Sequence, residues 1–195
     1  GKVSSRLGNV PLAEDLIDEI KSTAAEKIKA SKGVAEDEID ALAEKVAIGA
    51  IKYTFLKQSL GQNIVFDITQ ALSFEGDSGP YLQYTNARIN SVLAKAADMG
   101  VSTHAEVRPP QAYDIEKILY RFSEVVEVAL AERAPHQVVT YLTELAGSFN
   151  TFYAQEKIAD TSDEYAPYKV AVAEAVGQTL KNGLFVLGIE APEKM

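Results

Sequence analysis

The sequence of 195 residues contains no cysteine. Disulfide bonds and thiolate metal sites are therefore excluded, and a reducing compartment is the expected location. No apolar run approaches the roughly 20 residues that a membrane-spanning helix needs, and residues 1–9 (GKVSSRLGN) have no apolar signal core. We therefore expect a soluble cytoplasmic protein with no membrane partner.

The sequence also has no long basic tract, and its formal net charge is −9. This balance argues against non-specific binding of nucleic acid, so any such contact must use a local patch of specific polar groups. The two histidines, His104 and His136, have no nucleophile or metal-ligand pattern beside them and are expected at the surface or at a helix start. The acids of residues 36–40 are typical of a solvated helix N-terminus. We therefore predict no metal site and find no signature of a free-standing hydrolase.

Hydrophobic residues make up 47% of the chain, which is enough to build a buried core. Apolar side chains recur at helical spacing in several long segments. The predicted helices cover residues 11–30, 36–58, 78–99, 115–130, 135–153 and 165–187. Residues 63–67 (NIVFD) are too short for a helix and β-branched enough for a brief strand. The predicted fold class is therefore mainly α, a helical bundle with at most one short strand.

Residues 74–89 (FEGDSGPYLQYTNARI) form the most informative stretch. Asp77 or Ser78 can cap a helix here, and Pro80 suits its first turn. The first turns also carry two tyrosines, a glutamine, an asparagine and an arginine, and these polar residues must face solvent, another element or a ligand. One interpretation is a surface that holds a polar partner. The other is that the residues simply start the helix and pack it, which is favoured for Leu82 and Ile89.

Several segments match one enzyme family in their order and spacing. They are residues 2–10 (KVSSRLGNV), 47–53 (AIGAIKY), 63–67, 74–84, parts of 135–153 and the ending, 183–195. Together they resemble the C-terminal part of class I arginyl-tRNA synthetases. The resemblance implies that residues 1–73 are the end of the catalytic region and residues 74–195 a helical anticodon-binding domain. The first half of the nucleotide-binding fold would then lie upstream of Gly1.

The resemblance implies the C-terminal tRNA-binding part of an arginine–tRNA ligase, which attaches arginine to its tRNA through an ATP-derived arginyl-adenylate. Its partners would be arginine-specific tRNA and, in the full-length enzyme, arginine and ATP with Mg²⁺. We expect this fragment to bind no cofactor, to be inactive alone and to be a monomer. The alternative is a helical protein-interaction module with no tRNA role, which the charge of −9 and the ordinary amphipathic stripes leave open.

By the same resemblance, Lys2, Ser4, Ser5 and Arg6 belong to a mobile lid loop over the ATP phosphates. Cations, hydroxyls and backbone donors in such a loop stabilise the charge that develops during adenylate formation. Lys2 matches the first lysine of the family motif. Ser5 stands where the second lysine would be, and Arg6 is a possible substitute for it. The alternative interpretation is a flexible basic tail.

The resemblance also places the helix after residue 78 along the inner side of the anticodon stem. The candidates for tRNA contact are Tyr81, Gln83, Tyr84, Asn86, Arg88, Tyr153 and Met195. Tyr153 lies at the edge of an apolar stripe, where its ring could stack on an unpaired base. Phe149 continues that stripe and is expected in the core. Met195 matches the family's ending near the anticodon, although a frayed terminus is the alternative.

Overall fold

The computed structural model describes residues 13–30 and 34–195. Within them it contains eight α-helices and no β-strand, so the predicted mainly α bundle is confirmed. The helices are α1 (Ala13–Ala30), α2 (Ile39–Leu56), α3 (Ile68–Ala71), α4 (Gly79–Asp98), α5 (Asp114–Tyr120), α6 (Phe122–Glu132), α7 (Pro135–Gln155) and α8 (Ala166–Val186). A short 3-10 turn, Glu36–Glu38, leads into α2. None of the helices in the described ranges combines the length and the apolar character that a membrane crossing requires.

Helix α4 begins where its local sequence predicts. The Ser78 hydroxyl accepts a hydrogen bond from the Tyr81 backbone N–H at 3.1 Å, and Pro80 occupies the first turn. Gly100, with φ of +75°, follows the helix and takes the left-handed conformation that glycine adopts without steric cost. These local signals fix both ends of the helix that carries most of the candidate residues.

Residues 63–67 have no regular secondary structure, so the prediction of a strand here is wrong. A β-branched segment forms a strand only when its backbone N–H and C=O groups pair with a neighbour. The regular elements of the described chain are all helical, and none offers a strand edge. The side chain of Val65 is accordingly 85% exposed.

The single helix predicted over residues 115–130 is broken at Arg121 into α5 and α6. The Tyr141 hydroxyl, from α7, donates to the Ile118 carbonyl at 3.1 Å. The Arg121 backbone N–H donates to the same carbonyl at 3.1 Å, in a tighter turn than an α-helix makes. A side chain that takes a carbonyl out of the helical ladder is a known cause of a kink.

Two apolar clusters hold the bundle together. The first lies between α1, α2 and α3 and includes Ile20 and Val46, which are fully buried. The second and larger cluster lies among α4 to α8 and includes Leu82, Leu142 and Leu180. Burial of each such side chain stabilises the fold by roughly 1.5–3 kcal/mol. Helix α2 packs on α4 and so joins the two clusters.

Candidate nucleic-acid interface

A cleft of about 800 Å³ runs beside α4. One wall is the exposed face of α4, and the other is the end of α7 with the loop that follows it. Residues 194–195 close one side. The lining residues include Tyr84, Arg88, Lys95, Tyr153, Lys157 and Met195. The structure therefore brings Tyr84, Arg88, Tyr153 and Met195, four of the residues predicted to contact tRNA, to one place.

Arg88 lies between two tyrosine rings in this cleft. Its guanidinium carbon is 4.9 Å from the ring centre of Tyr84 and 5.5 Å from that of Tyr153. The Tyr84 ring meets Phe74 edge-on at 6.1 Å, and the Tyr153 ring stacks on Phe149 at 6.2 Å. Tyr84 is 36% exposed and Tyr153 is 45% exposed. Rings and a guanidinium plane that remain open to solvent are the groups on which unpaired bases stack.

Asn150 of α7 fixes the direction of Arg88. Its Oδ1 accepts a hydrogen bond from Arg88 Nη1. Its Nδ2 donates to the Tyr81 hydroxyl at 2.9 Å and to the Thr85 hydroxyl at 3.3 Å. Tyr81 is half-buried and serves here to orient Asn150. The guanidinium is thus held by one hydrogen bond and two ring faces, and Arg88 lines the cleft in this position.

The cleft is locally basic although the chain is acidic. Four basic side chains line it, namely Arg88, Lys95, Lys157 and Lys194, against the one acidic side chain of its described lining, Glu156. Lys157 is exposed and forms an ion pair with the half-buried Asp160 at 2.8 Å. Phosphate groups carry one negative charge each, and a cluster of cations of this kind supplies most of the affinity for a nucleic-acid backbone.

Glu156 is itself neutralised by a buried lysine. Lys169 of α8 forms ion pairs with Glu156 and, at 2.7 Å, with Asp163. Burial lowers the pKa of Lys169, but the hydrogen bonds to Asp163 and Glu156 outweigh it and raise that pKa. The hydrogen bond from Lys169 and that from the Tyr165 backbone N–H lower the pKa of Asp163. The charged lysine ties the loop after α7, and with it Lys157, to α8.

Gln83 and Asn86 do not reach the cleft surface. Gln83 is fully buried, and its Nε2 donates to the backbone carbonyls of Lys45 at 3.1 Å and Glu190 at 2.9 Å. Asn86 is 3% exposed, and its Nδ2 donates to the Pro192 carbonyl at 3.0 Å. Their predicted direct contact with tRNA is therefore withdrawn, because a polar group buried against its own chain has no surface to offer.

Met195 is half-buried. It lines the cleft and packs against the cluster of α1 to α3. Lys2, Ser4, Ser5 and Arg6 lie outside the described residues, so the lid-loop assignment stays a prediction. His104 is exposed and His136 half-buried at the start of α7. Within residues 13–30 and 34–195 no group of three or more His, Asp or Glu side chains could hold a metal ion.

Five residues of this site were not identified as candidates from the sequence. They are Phe74, Lys95, Asn150, Lys157 and Lys194. Asn150 offered a signal, since it interrupts an apolar stripe between Phe149 and Phe152. The three lysines offered none, because isolated surface lysines occur throughout any helical protein.

A family model described as the DALR anticodon binding domain matches residues 82–195. Over the whole of this chain, the arginine–tRNA ligase of Pyrococcus furiosus is 34% identical and that of Levilactobacillus brevis is 36% identical. The chain covers 33% and 34% of these proteins, so it spans about a third of the length of the curated relatives it matches.

The arginyl-tRNA synthetase of Thermus thermophilus superposes on the whole chain with a TM-score of 0.79 and 31% identity, over 34% of its own length. Sequence and structure agree on the same family, and the residues that the family model matches include every residue that lines the cleft. The chain therefore belongs to the DALR anticodon binding domain family, and the relatives that it matches over its full length are arginine–tRNA ligases.

Proposed function

We propose that this chain is the C-terminal tRNA-binding part of an arginine–tRNA ligase, and that its cleft receives the anticodon arm of the tRNA. The observation that carries the proposal is the stack of Tyr84, Arg88 and Tyr153 in a locally basic cleft. Family membership supports it, because the cleft lies on the helix with which the matched region begins.

The chemistry of the cleft fits a single-stranded RNA loop. Tyr84 and Tyr153 offer ring faces for unstacked bases, and each such contact contributes about 1–3 kcal/mol. Arg88, Lys95 and Lys157 can neutralise phosphates and so orient the stem, while discrimination between bases needs contacts to base edges. The cleft holds and positions RNA; the covalent chemistry belongs elsewhere in the enzyme.

We propose further that residues 1–73 complete the catalytic region and residues 74–195 form the anticodon-binding domain. Lys2, Ser4, Ser5 and Arg6 would then act in the full-length enzyme, which uses ATP with Mg²⁺ to activate arginine. On this proposal the enzyme is a cytoplasmic monomer, and the fragment of 195 residues does not charge tRNA by itself. A charging assay with ATP, arginine and tRNA checks the last point, and robust activity would contradict it.

The decisive experiment measures binding of a fluorescent arginine-tRNA anticodon arm and of an arm with the same stem and a scrambled loop. Both are titrated at 50 and 150 mM KCl, because affinities for nucleic acid depend steeply on salt. We expect the native loop to bind more tightly, and Tyr153→Ala to weaken binding of the arm about tenfold while circular dichroism stays unchanged. Equal binding of the two arms at both salt concentrations would favour the protein-interaction alternative.

A further inference from the structure

We propose that Gln83, Asn86 and Asn90 are positioning residues that hold the backbone of residues 189–195 and thereby set the shape and selectivity of the cleft. This inference rests on the proposed function, because selectivity is measured on the anticodon arm. None of the three residues contacts RNA in this view. They act through the segment that they hold, which brings Lys194 and Met195 to the cleft.

The three amides form a ladder on one face of α4. Gln83 Nε2 donates to the carbonyl of residue 190 at 2.9 Å, and Asn86 Nδ2 donates to that of residue 192 at 3.0 Å. Asn90 Nδ2 donates to that of residue 193 at 3.3 Å. Positions 83, 86 and 90 follow the spacing i, i+3, i+7, which places side chains in a row along a helix. An extended backbone can lie along such a row and give each amide a carbonyl.

The other contacts of the held segment include apolar packing, such as that of Met195 against the cluster of α1 to α3, and one ion pair. Residues 189–195 contain no helix or strand that would satisfy their own carbonyls. Ile189 and Pro192 are buried and anchor the segment, while the pair between Lys45 and Glu190, at 3.1 Å, is largely exposed. Exposed ion pairs contribute about 0–1 kcal/mol. The buried amides of α4 are therefore the specific contacts that fix the course of this segment.

The segment forms a wall shared by two clefts. A second cleft of about 540 Å³ lies on its other side, between α4 and α8. Ser91 and Lys194 line both clefts, and Met195 lines the first. If the segment left α4, the two clefts would merge and Lys194 would no longer stand beside Arg88 and Lys95. The ladder therefore holds in place both Lys194 and the wall of the cleft that residues 189–195 form.

Helix α2 takes part in the same arrangement. The Gln83 amide that binds Glu190 also binds the Lys45 carbonyl of α2 at 3.1 Å. Gly49 makes room for it, because a Cβ at position 49 would lie 2.8 Å from the amide. The residue just before the segment is held as well, since Lys52 Nζ donates to the Gly188 carbonyl. The course of residues 188–193 thus depends on α2 as well as on α4.

The test has two readouts on the full chain. The chain has only two methionines, so ¹³C-methyl labelling gives one signal for Met195 and one for Met99, which is an internal reference. In Asn86→Leu we expect the Met195 signal to move to its random-coil position while that of Met99 stays. We also expect the preference for the native loop over the scrambled loop to fall about tenfold, the scale of one lost buried hydrogen bond.

A double-mutant cycle separates positioning from general destabilisation. Adding Lys194→Ala to Asn86→Leu should weaken binding less than it does in the wild type, because Lys194 has already been displaced. Gln178→Leu is the matched control, since this amide lines the second cleft but donates to Asn182 on its own helix, at 2.7 Å. It should change neither readout. If Asn86→Leu fails to fold, Asn90→Ala, at the solvent end of the ladder, takes its place.

An unmoved Met195 signal in the ladder variant overturns the proposal, as does a displaced signal with unchanged selectivity. Failure of the proposed function looks different. In that case the wild type prefers neither arm, whereas the methyl spectrum still reports whether the ladder holds the segment. Full additivity of Asn86→Leu and Lys194→Ala in binding would also count against positioning.

Discussion

Gly79 lies against the backbone of Gly49, so closely that a Cβ at position 79 would stand 2.4 Å from the Gly49 carbonyl oxygen. The two glycines let α2 and α4 touch backbone to backbone. This crossing lies immediately before the turns of α4 that carry Tyr84 and Arg88. The spacing of the two helices, and hence the position of the cleft, depends on the absence of side chains at both positions.

We expect Gly79→Ala to lower the free energy of unfolding by about 1–3 kcal/mol, as overpacking in a rigid contact usually does. The atom that the new Cβ meets belongs to the backbone and cannot rotate away. Urea denaturation followed by circular dichroism measures the change. Gly147→Ala in α7 is the matched control, because a Cβ there meets only the Tyr81 hydroxyl, at 3.9 Å. That control should gain stability through its helix propensity, by about 0.5–1 kcal/mol.

Arg88→Lys keeps the charge in the cleft but removes the planar group between Tyr84 and Tyr153. A lysine ammonium cannot stack on the rings or hold Asn150 in the same way. We expect about tenfold weaker binding of the anticodon arm, from the loss of about 1–2 kcal/mol of stacking and hydrogen bonding. Arg121→Lys is the control, since Arg121 pairs with Glu144 at 3.0 Å outside the cleft. Equal losses in the two variants would show that the planar group at position 88 has no special role.

Much of the fold could be predicted because its signals are local. The capping serine and Pro80 lie within three residues of the start of α4, and apolar side chains recur at short intervals along α7 and α8. The break between α5 and α6 could not be predicted, because it depends on a hydroxyl from Tyr141 in another helix. The strand predicted over residues 63–67 failed for a related reason. Residue types favoured it, but no partner strand exists in the described chain.

The residues of the candidate site also divide into those with a local sequence signal and those that depend on distant contacts. Arg88 was predicted by resemblance and Tyr153 by its position at the edge of an apolar stripe, and both line the cleft. Gln83 and Asn86 were predicted by resemblance to contact tRNA, while their residue types alone left solvent, another element and a ligand open. Their carbonyl partners on residues 190 and 192 lie more than 100 positions along the chain. Contacts of that range are invisible to a pattern confined to one helix.

Two lysines of the cleft, Lys95 and Lys157, should contribute to the salt dependence of binding. A plot of log K against log [KCl] for the anticodon arm has a slope that falls by about 0.7–0.9 for each phosphate contact removed. We expect Lys95→Ala and Lys157→Ala each to reduce the slope, and Lys157→Ala to reduce it less because Lys157 is already paired with Asp160. Lys29→Ala, in α1, is the control and should leave the slope unchanged. An unchanged slope in both Lys95→Ala and Lys157→Ala would place the RNA elsewhere.

The ion pairs of Lys169 make a prediction about stability and pH. Lys169→Met keeps most of the apolar stem but leaves Glu156 and Asp163 without their cation. Loss of one partner from a buried pair costs about 3–5 kcal/mol, and the two carboxylates here are partly exposed, so we expect about 2 kcal/mol. Lys181→Met is the control, because Lys181 is exposed on the same helix, and its effect should stay within about 0.5 kcal/mol.

The dependence of the free energy of unfolding on pH, in the acid range, tests the same ion pairs independently. The pKa of Asp163 is lowered in the folded chain, chiefly by the hydrogen bond from Lys169. Near the ordinary carboxyl pKa, the folded state therefore binds fewer protons than the unfolded state. The ion pair of Asp163 stabilises the fold fully above about pH 4, and this contribution is lost as the pH falls below that value. In Lys169→Met the pKa of Asp163 should return toward its ordinary value, so the free energy of unfolding should fall less steeply as the pH drops below about 4. Urea titrations at several pH values measure both slopes. A variant that loses stability at neutral pH but keeps the wild-type acid slope would show that packing of the Lys169 stem, and not its charge, holds the loop after α7 against α8.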